Sequence, residues 1–506
     1  MNLRAVLWLL GCVSLIVAAF LLVPAGIGFY YGEADGLKAC LLSALVSGAV
    51  GGVLVWWNRG SRLDSEGRPD YFRREGLAVV GLSWLVAGVL GALPYLFSGL
   101  LASPVDAVFE SVSGFTTTGS TVLPPEAIDS LHSSMRAIGF WRSFTHWLGG
   151  FGIVMVFVVL FPTGGRSLFR SEIPGIAREA GRARVRDSAM TLMKIYVGLS
   201  VAECVLLVMV GMGLFDAVIH TFGTLATGGF SNYSESVAHF ASFKVELIIG
   251  LFMFVAGINF AFYDLALRAG VKKGWGAIVH SMEVRVYTLL TFGSIVVLAT
   301  VLWFWGGSNG DPASTLPDYR QYWQAMRDSF FQVICLETST GFGTADFDQW
   351  PQVCRIWLMV LAVIGACAGS TGGGLKVVRL IIVAKAALKG VRQFIRPRAV
   401  HAVRVDGVAL DDSVVASVTG YFVLWILVFL GGTVFIATYG IDLETASTAV
   451  LATLNNIGPG LSMVGPSCNF AEMPELVKVL LTLFMILGRL EFYAVVALFV
   501  PGFWRS

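Results

Sequence analysis

GFTTTGSTVL, residues 114–123, interrupts a strongly apolar chain with Gly119 set among threonines and a serine, and with no charge nearby. Three more interruptions share its character: LATGGFSN at 225–232, TSTGFGTADF at 338–347 and NNIGPGLSMV at 455–464. They centre on Gly119, Gly228, Gly341 and Gly458, at separations of 109, 113 and 117 residues. Four interruptions of one kind at near-constant spacing read as an internal fourfold repeat.

The surroundings say where the repeat sits. Of the 506 residues, 56% are hydrophobic and 13% charged, about half the charge of an ordinary soluble domain. Apolar runs of spanning length fall at roughly 5–29, 37–57, 76–100, 137–161, 190–212, 243–267, 286–306, 353–386, 413–438 and 476–500. The first run is read as a retained transmembrane helix, because it is long and lacks a clear small-residue cleavage site. Shorter, half-apolar segments at 104–115, 215–225, 322–337 and 444–455 suit re-entrant helices that dip into the bilayer and return. The repeat unit is therefore span, re-entrant helix, glycine loop, span. The expected fold is an all-α polytopic membrane protein with four such units in a pseudo-fourfold ring: 76–161, 188–268, 283–386 and 412–506. An extra N-terminal pair of helices, 1–57, stands outside the ring.

Basic residues choose the sides. Arg59, Arg62, Arg68, Arg73 and Arg74 fall in one loop, and Arg166, Arg170, Arg178, Arg182, Arg184 and Arg186 in another. Arg268, Lys272 and Lys273 mark a third, and Lys385, Lys389, Arg392, Arg396 and Arg398 a fourth. If each re-entrant segment returns to the face it left, all four loops share one side, which the positive-inside rule makes the cytoplasm. Both termini then lie inside. Glu126, Asp129, Asp346, Asp348, Glu472 and Glu475 fall near the outer mouths, either as a cation-attracting rim or as solvated surface.

Non-helical backbone at membrane depth is tolerated where it is buried in protein or lines a watery cavity. Four glycine loops around one axis can turn carbonyl oxygens inward and replace the water shell of a monovalent cation. Glycine admits the backbone angles this needs, and Thr117, Thr118 and Thr227 add uncharged oxygens. The re-entrant helices bring their partially negative C-terminal ends toward the pore.

Other motifs point the same way or drop out. GACAGSTGGGLK, 365–376, holds five glycines in twelve residues, so the span must break there. The break is either a gate below the filter or a flexible helix interruption. A phosphate-loop reading fails because Leu375 separates Gly374 from Lys376. Arg489 lies within an apolar span, where a charge is costly and by default functional; it is either a barrier in the pore or half of a structural ion pair, with Glu491 or a neighbouring repeat as partner. Asn259 and Asp264 are polar at a span, and a helix-to-helix hydrogen bond explains Asn259 equally well. His146 reads as a packed, hydrogen-bonded histidine. The seven cysteines are scattered without CxxC spacing, which argues for neither a metal site nor a disulfide framework. HExxH is absent and the six histidines do not cluster, so enzyme chemistry is not expected. A net charge of +2 gives no signal for nucleic acid.

SGFTTTGST, FGTLATGGFSN, ETSTGFGTADFDQWP and NNIGPG resemble the four selectivity-filter loops of the Trk/Ktr/HKT superfamily of potassium transporters. GACAGSTGGGLK, GRLEFY (488–493) and FTHWLGGFGI (144–153) are similar to further motifs of that superfamily. The resemblance runs from about residue 76 to the end, and the added N-terminal pair places it in the TrkH-type branch. It implies a potassium-binding filter at Thr117, Thr118 and Gly119; Ala226, Thr227 and Gly228; Ser339, Thr340 and Gly341; and Asn456, Ile457 and Gly458. The fourth loop departs most, with Asn456 and Pro459 putting ideal fourfold geometry in question. Glycine at position 119 goes with potassium selectivity in this superfamily, whereas serine goes with sodium-permeable plant relatives. The resemblance further implies a gate of Gly369, Ser370, Thr371, Gly372, Gly373 and Gly374 with Arg489, and no cofactor other than the transported potassium ion. The expected partners are a cytosolic nucleotide-binding regulatory subunit (TrkA-like), a second copy of the chain, and membrane lipid at the basic loops. The expected setting is the bacterial inner membrane. The alternative activity is potassium symport coupled to sodium or protons.

Overall fold

The computed structural model describes residues 2–58, 73–160, 181–306, 318–398, 401–490 and, near the end, 492, 495, 496, 498 and 500, with side chains described outside 73–74, 153–160 and 181–188. Of the basic loops expected at 58–75 and 162–189, residues 59–72 and 162–180 lie outside the described residues, while Arg73 and Arg74 open one helix and Arg182, Arg184 and Arg186 fall at the start of another.

Helices α1 (Leu3–Tyr31) and α2 (Ala34–Trp57) form an antiparallel hairpin. Helix α1 starts at Asn2, whose Oδ1 accepts the Ala5 N–H at 3.1 Å, and stops at Gly32 in the left-handed region. The two helices touch through small residues: a Cβ on Gly51 would sit 2.8 Å from the Gly11 carbonyl oxygen. Such close backbone approach is how apolar helices gain packing where lipid supplies no hydrophobic drive.

The first repeat contains α3 (Arg73–Gly91), α4 (Leu93–Phe97), α5 (Pro104–Phe115), α6 (Pro125–Ser133) and α7 (Arg136–Leu160). The second has α8 (Gly181–Met209), α9 (Leu214–Leu225), α10 (Phe243–Ala256) and α11 (Phe260–Ala269), followed by α12 (Val271–His280). The third has α13 (Met282–Trp305), α14 (Tyr322–Glu337), α15 (Gln352–Ile364) and α16 (Val377–Ile395). A two-residue hairpin, β1 (Arg404–Val405) with β2 (Val408–Ala409), leads to the fourth: α17 (Asp412–Ala437), α18 (Leu443–Leu454) and α19 (Glu475–Arg489). Helices α5, α9, α14 and α18 match the four re-entrant segments expected from sequence to within a residue.

Each repeat leans on the next. Helix α7 packs on α9, α10 on α14, α15 on α18, and α19 back on α5, so the ring closes. The N-terminal hairpin docks on the first repeat through Glu33, whose carboxylate accepts the Arg136 and Ala137 N–H groups at 2.9 and 3.0 Å. Those are the first free donors of α7, where negative charge is favourable.

Six described helices are long and apolar enough to cross a membrane. The expectation of unbroken spans at 243–267 and 476–500 is corrected. Helices α10 and α11 meet at an 83° bend; Asn259 starts α11 by accepting the Ala261 N–H at 2.9 Å, and so serves as a helix cap rather than an interhelical tie. Asp264 pairs with Arg268 one turn along the same helix at 2.6 Å. Helix α19 ends at Arg489. The expected break at 365–376 separates α15 from α16.

Candidate functional site: four equivalent loops above one glycine-rich loop

The C-terminal ends of α5, α9, α14 and α18 finish in the same way. Thr117, Thr227, Ser339 and Asn456 adopt left-handed φ values of 51°, 54°, 56° and 54°. The next residue then reaches back five positions: Thr118 N–H to Ser113 O at 2.9 Å, Gly228 to Gly223 at 2.8 Å, Thr340 to Cys335 at 2.8 Å and Ile457 to Ala452 at 2.9 Å. This is the Schellman helix end, which usually places glycine at the left-handed position. Here that position carries threonine, serine or asparagine, each held against a backbone cost of about 1–3 kcal/mol.

Two residues beyond each of these turns the chain is left-handed again, at Gly119, Gly229, Gly341 and Gly458, with φ of 84°, 80°, 82° and 103°. This fixes the register of the second loop. Thr227, Gly228 and Gly229 correspond to Thr117, Thr118 and Gly119, one residue later than the set beginning at Ala226 expected from sequence. Ala226 instead corresponds to Thr116 and ends the helix.

The four glycines interlock. A Cβ on Gly119 would lie 2.2 Å from the Gly228 carbonyl oxygen, one on Gly229 2.0 Å from that of Thr340, one on Gly341 2.1 Å from that of Ile457, and one on Gly458 2.9 Å from that of Thr118. Each loop thus sets the carbonyl of its middle residue against the glycine of a neighbour, and the cycle closes after four steps. The fourth loop joins despite Asn456 and Pro459. Asn456 Nδ2 donates to Thr118 Oγ1 at 2.9 Å and to Met485 O at 2.8 Å. Above this ring, Gly119, Gly229, Gly341 and Gly458 help to line an open vestibule of about 110 Å³.

Buried polar side chains brace the loops from behind. Glu110 accepts from Thr121 Oγ1 at 3.0 Å, the Val122 N–H at 2.9 Å and Arg142 Nε at 2.7 Å. Arg142 also donates to Ser231 O at 2.8 Å and stacks 3.5 Å over Phe230. One buried pair therefore ties the first loop to the second, and loss of either partner would leave an uncompensated charge. His146 donates from Nδ1 to Gly114 O at 2.8 Å, and its ring fills the space beside Gly228. Thr116 with Thr118, and Thr338 with Thr340, share hydroxyl hydrogen bonds of 2.8 Å.

Directly against the ring lies the stretch from Gly365 to Lys376. A Cβ on Gly372 would meet Thr338 O at 3.0 Å, and one on Gly373 would meet Asn455 O at 2.0 Å. The Gly373 N–H donates to Ser339 Oγ and the Gly374 N–H to Asn455 O at 3.0 Å. On its other flank the stretch is pinned to the bend in the second repeat: Cys367 N–H to Gly257 O and Gly369 O to Phe260 N–H, each 3.0 Å. Lys376 Nζ donates to Gly372 O. Arg489 is buried, and its guanidinium donates to Thr371 O at 2.7 Å and reaches Gly149 O at 3.5 Å. Among the described residues its hydrogen-bond partners are carbonyls; Glu491, the partner weighed from sequence, lies outside them. The structure thus brings Gly369–Gly374 and Arg489 together, and sets them against two of the four loops.

The comparisons with known proteins agree with this architecture. The family model TrkH, described as a cation transport protein, matches residues 48–505. The chain belongs to the TrkH family. It is 36% identical over its full length to the Trk system potassium uptake protein TrkH of Halomonas elongata, and 35% identical to that of Escherichia coli K12, each relative also covered completely. The crystal structure of the potassium transporter TrkH from Vibrio parahaemolyticus superposes over the whole of both chains with a TM-score of 0.86, at 31% identity. As a member of the TrkH family the chain is a multi-pass membrane transporter. Sequence reasoning had singled out neither Asn455, Gly229, Lys376 nor the Glu110–Arg142 pair in it. Glu110 was legible as a carboxylate midway along an apolar re-entrant helix, whereas the roles of Lys376 and Asn455 depend on a chain reversal that periodicity does not encode.

Proposed function

We propose that the chain takes up potassium through the four-loop ring, with Thr117–Gly119, Thr227–Gly229, Ser339–Gly341 and Asn456–Gly458 as the selectivity filter. The carrying observation is the interlock, in which the carbonyls of Thr118, Gly228, Thr340 and Ile457 each lie against the glycine of a neighbouring loop in a closed cycle. Backbone oxygens in such a ring replace an ion's hydration shell, and four helix C-terminal ends add negative potential. Thr117 Oγ1 is buried without a protein partner among the described residues, leaving its lone pairs for the permeating ion. The names of the TrkH relatives, potassium uptake proteins of Trk systems, support the choice of ion.

Gly369–Gly374 act as the gate below the filter, and Arg489 holds the gate shut by gripping Thr371 O. Release of that stretch from Ser339 and Asn455 opens the path. The chain sits in the bacterial inner membrane with both termini cytoplasmic, works as a homodimer, and takes its trigger from a cytosolic nucleotide-binding subunit that docks on the basic loops beside anionic lipid.

The test is ion flux in liposomes holding the purified chain, with potassium, rubidium, sodium and lithium offered separately, beside Gly119→Ser. The parent is expected to pass potassium and rubidium and to exclude sodium, and the variant to lose at least ten-fold of that preference. A Cβ at 119 must displace the Gly228 carbonyl 2.2 Å away. Equal flux of all four ions through the parent would overturn the filter assignment.

A further inference from the structure

The glycine-rich stretch between α15 and α16 is a loop with a closed neck. Leu375 N–H donates to Val363 O at 3.1 Å and Val377 N–H to Ala366 O at 3.2 Å, so the chain returns close to where it set out. Arg489 holds the tip, at Thr371 O. The neck has a holder of its own in Glu283, the second residue of α13, which is buried although it stands at a helix end. Its carboxylate accepts the Ala368 N–H at 2.6 Å, where the loop departs, and the Val378 N–H, where α16 begins. Lys376 precedes that helix at a left-handed φ of 74° and has no acceptor with which to cap it. Its ammonium donates back to Gly372 O, and its charge faces the carboxylate. The first N–H groups of a helix are free donors and favour an anion. One carboxylate therefore caps α16 and ties both sides of the neck.

Glu283 is held in turn by the hairpin β1–β2. At its turn Asp406 and Gly407 are both left-handed, with φ of 50° and 82°. Asp406 Oδ1 accepts the Met282 N–H at 2.6 Å, one residue before Glu283. Behind the turn, Val405 is buried in one apolar cluster with Cys367, Val377 and Val378. Lys385 on α16 donates to Arg404 O at 2.7 Å. The hairpin thus rests on both α13 and α16, and its turn, with Asp406 exposed, faces solution.

We propose that Glu283 is a positioning residue for the gate: it staples the neck of the glycine-rich loop, and Asp406 in the hairpin holds the staple in register. A plug whose neck is tied can shift only at its tip. Untying the neck lets the whole loop turn away from Ser339 and Asn455. Each lost hydrogen bond to a charged group is worth on the order of ten-fold in the balance between held and released loop. The proposal rests on the reading of Gly369–Gly374 as the gate.

Cys367 reports on the neck independently of flux, because it is a fully buried free thiol next to Ala368. In liposomes holding the full chain, rubidium influx is measured beside labelling of Cys367 by a charged methanethiosulfonate, read by peptide mass. Glu283→Ala is expected to raise both basal flux and labelling by about ten-fold over the parent, with the potassium-to-sodium preference unchanged. Glu283→Gln keeps one acceptor for two donors and should lie between the two. Asp406→Ala should raise both by less than Glu283→Ala does. Cys335, equally buried at the far end of α14, should stay protected throughout. Parent-level labelling of Cys367 in Glu283→Ala overturns the staple, whatever the flux. Labelling that rises while flux does not leaves the staple standing and defeats the gate reading beneath it. If Glu283→Ala also unmasks Cys335, and so has lost its fold, Glu283→Gln decides by the same two readings.

Discussion

The ring of loops and the stretch beneath it are both short, glycine-rich and buried, yet they are built on opposite plans. The ring repeats one device four times: a helix ends in a left-handed polar residue, the next N–H reaches back five positions, and a left-handed glycine accepts a neighbour's carbonyl. The stretch from Gly365 to Lys376 occurs once, in the third repeat, and is held by unlike contacts from the second repeat (Gly257, Phe260), the fourth (Asn455, Arg489) and its own (Ser339). Fourfold repetition suits a site that must present the same oxygens from all sides. A plug needs the reverse, since a device repeated around the axis would cancel the asymmetry that lets one loop move without the rest. If the ring is the filter and the stretch the gate, as proposed, selectivity and gating are separable, and substitutions should separate them.

The largest effect is expected where the interlock is backbone against backbone. Gly229→Ala places a methyl 2.0 Å from Thr340 O and requires a left-handed alanine, so ion flux should fall at least ten-fold. Gly228→Ala meets the His146 ring first, at 2.4 Å, and flux should recover in the double variant Gly228→Ala with His146→Ala. Rescue of Gly229→Ala by the same His146 truncation would break the register assigned to the second loop. In the lower layer, Arg489→Ala removes the grip on Thr371 O. Basal rubidium flux is expected to rise several-fold with the potassium-to-sodium preference unchanged. A rise accompanied by lost preference would show that the two layers are not separable.

Much of the upper layer was legible in the sequence because its grammar is local. Re-entrant helices announce themselves as half-apolar segments of twelve or sixteen residues closed by small polar residues and glycine, and their ends were placed to within a residue. The second loop slipped by one because TGG offers two ways to match TTG, and composition does not choose between them. Counting from the helix end would have: Phe115 and Leu225 close α5 and α9, and the left-handed glycine falls four residues later in each. The lower layer was legible as a break and not as a set of contacts. Five glycines forbid a helix, but that Arg489 meets Thr371 O, and Gly374 meets Asn455 O, depends on how the repeats converge. The bend at Gly257–Asn259 escaped for a related reason. Its residues are apolar enough to pass as one span, and the kink is enforced by tertiary crowding, with Tyr287 Oη 2.4 Å from where a Gly257 Cβ would be.

The smallest effect tests whether the ring depends on how each re-entrant helix begins as well as how it ends. Asp442 caps α18, accepting the Thr445 N–H at 2.9 Å and its hydroxyl at 2.5 Å. These bonds, led by the hydroxyl, hold its carboxyl below the usual range. A carboxyl depressed in the folded state contributes stability that is complete above its unfolded pKa and is lost as pH falls through the folded one. Asp442→Ala should therefore cost about 1 kcal/mol, the usual worth of a helix cap, near neutral pH. The gap from the parent should shrink once the medium is more acidic than about pH 4. Thermal unfolding in detergent at pH 7 and pH 3.5 reads both. Flux at pH 7 should change by less than two-fold, because the interlock is built at the opposite end of α18, from Asn456 and Gly458. A larger loss would mean that the fourth loop, whose glycine departs most from the common φ, draws on the whole length of its helix to stay in the ring.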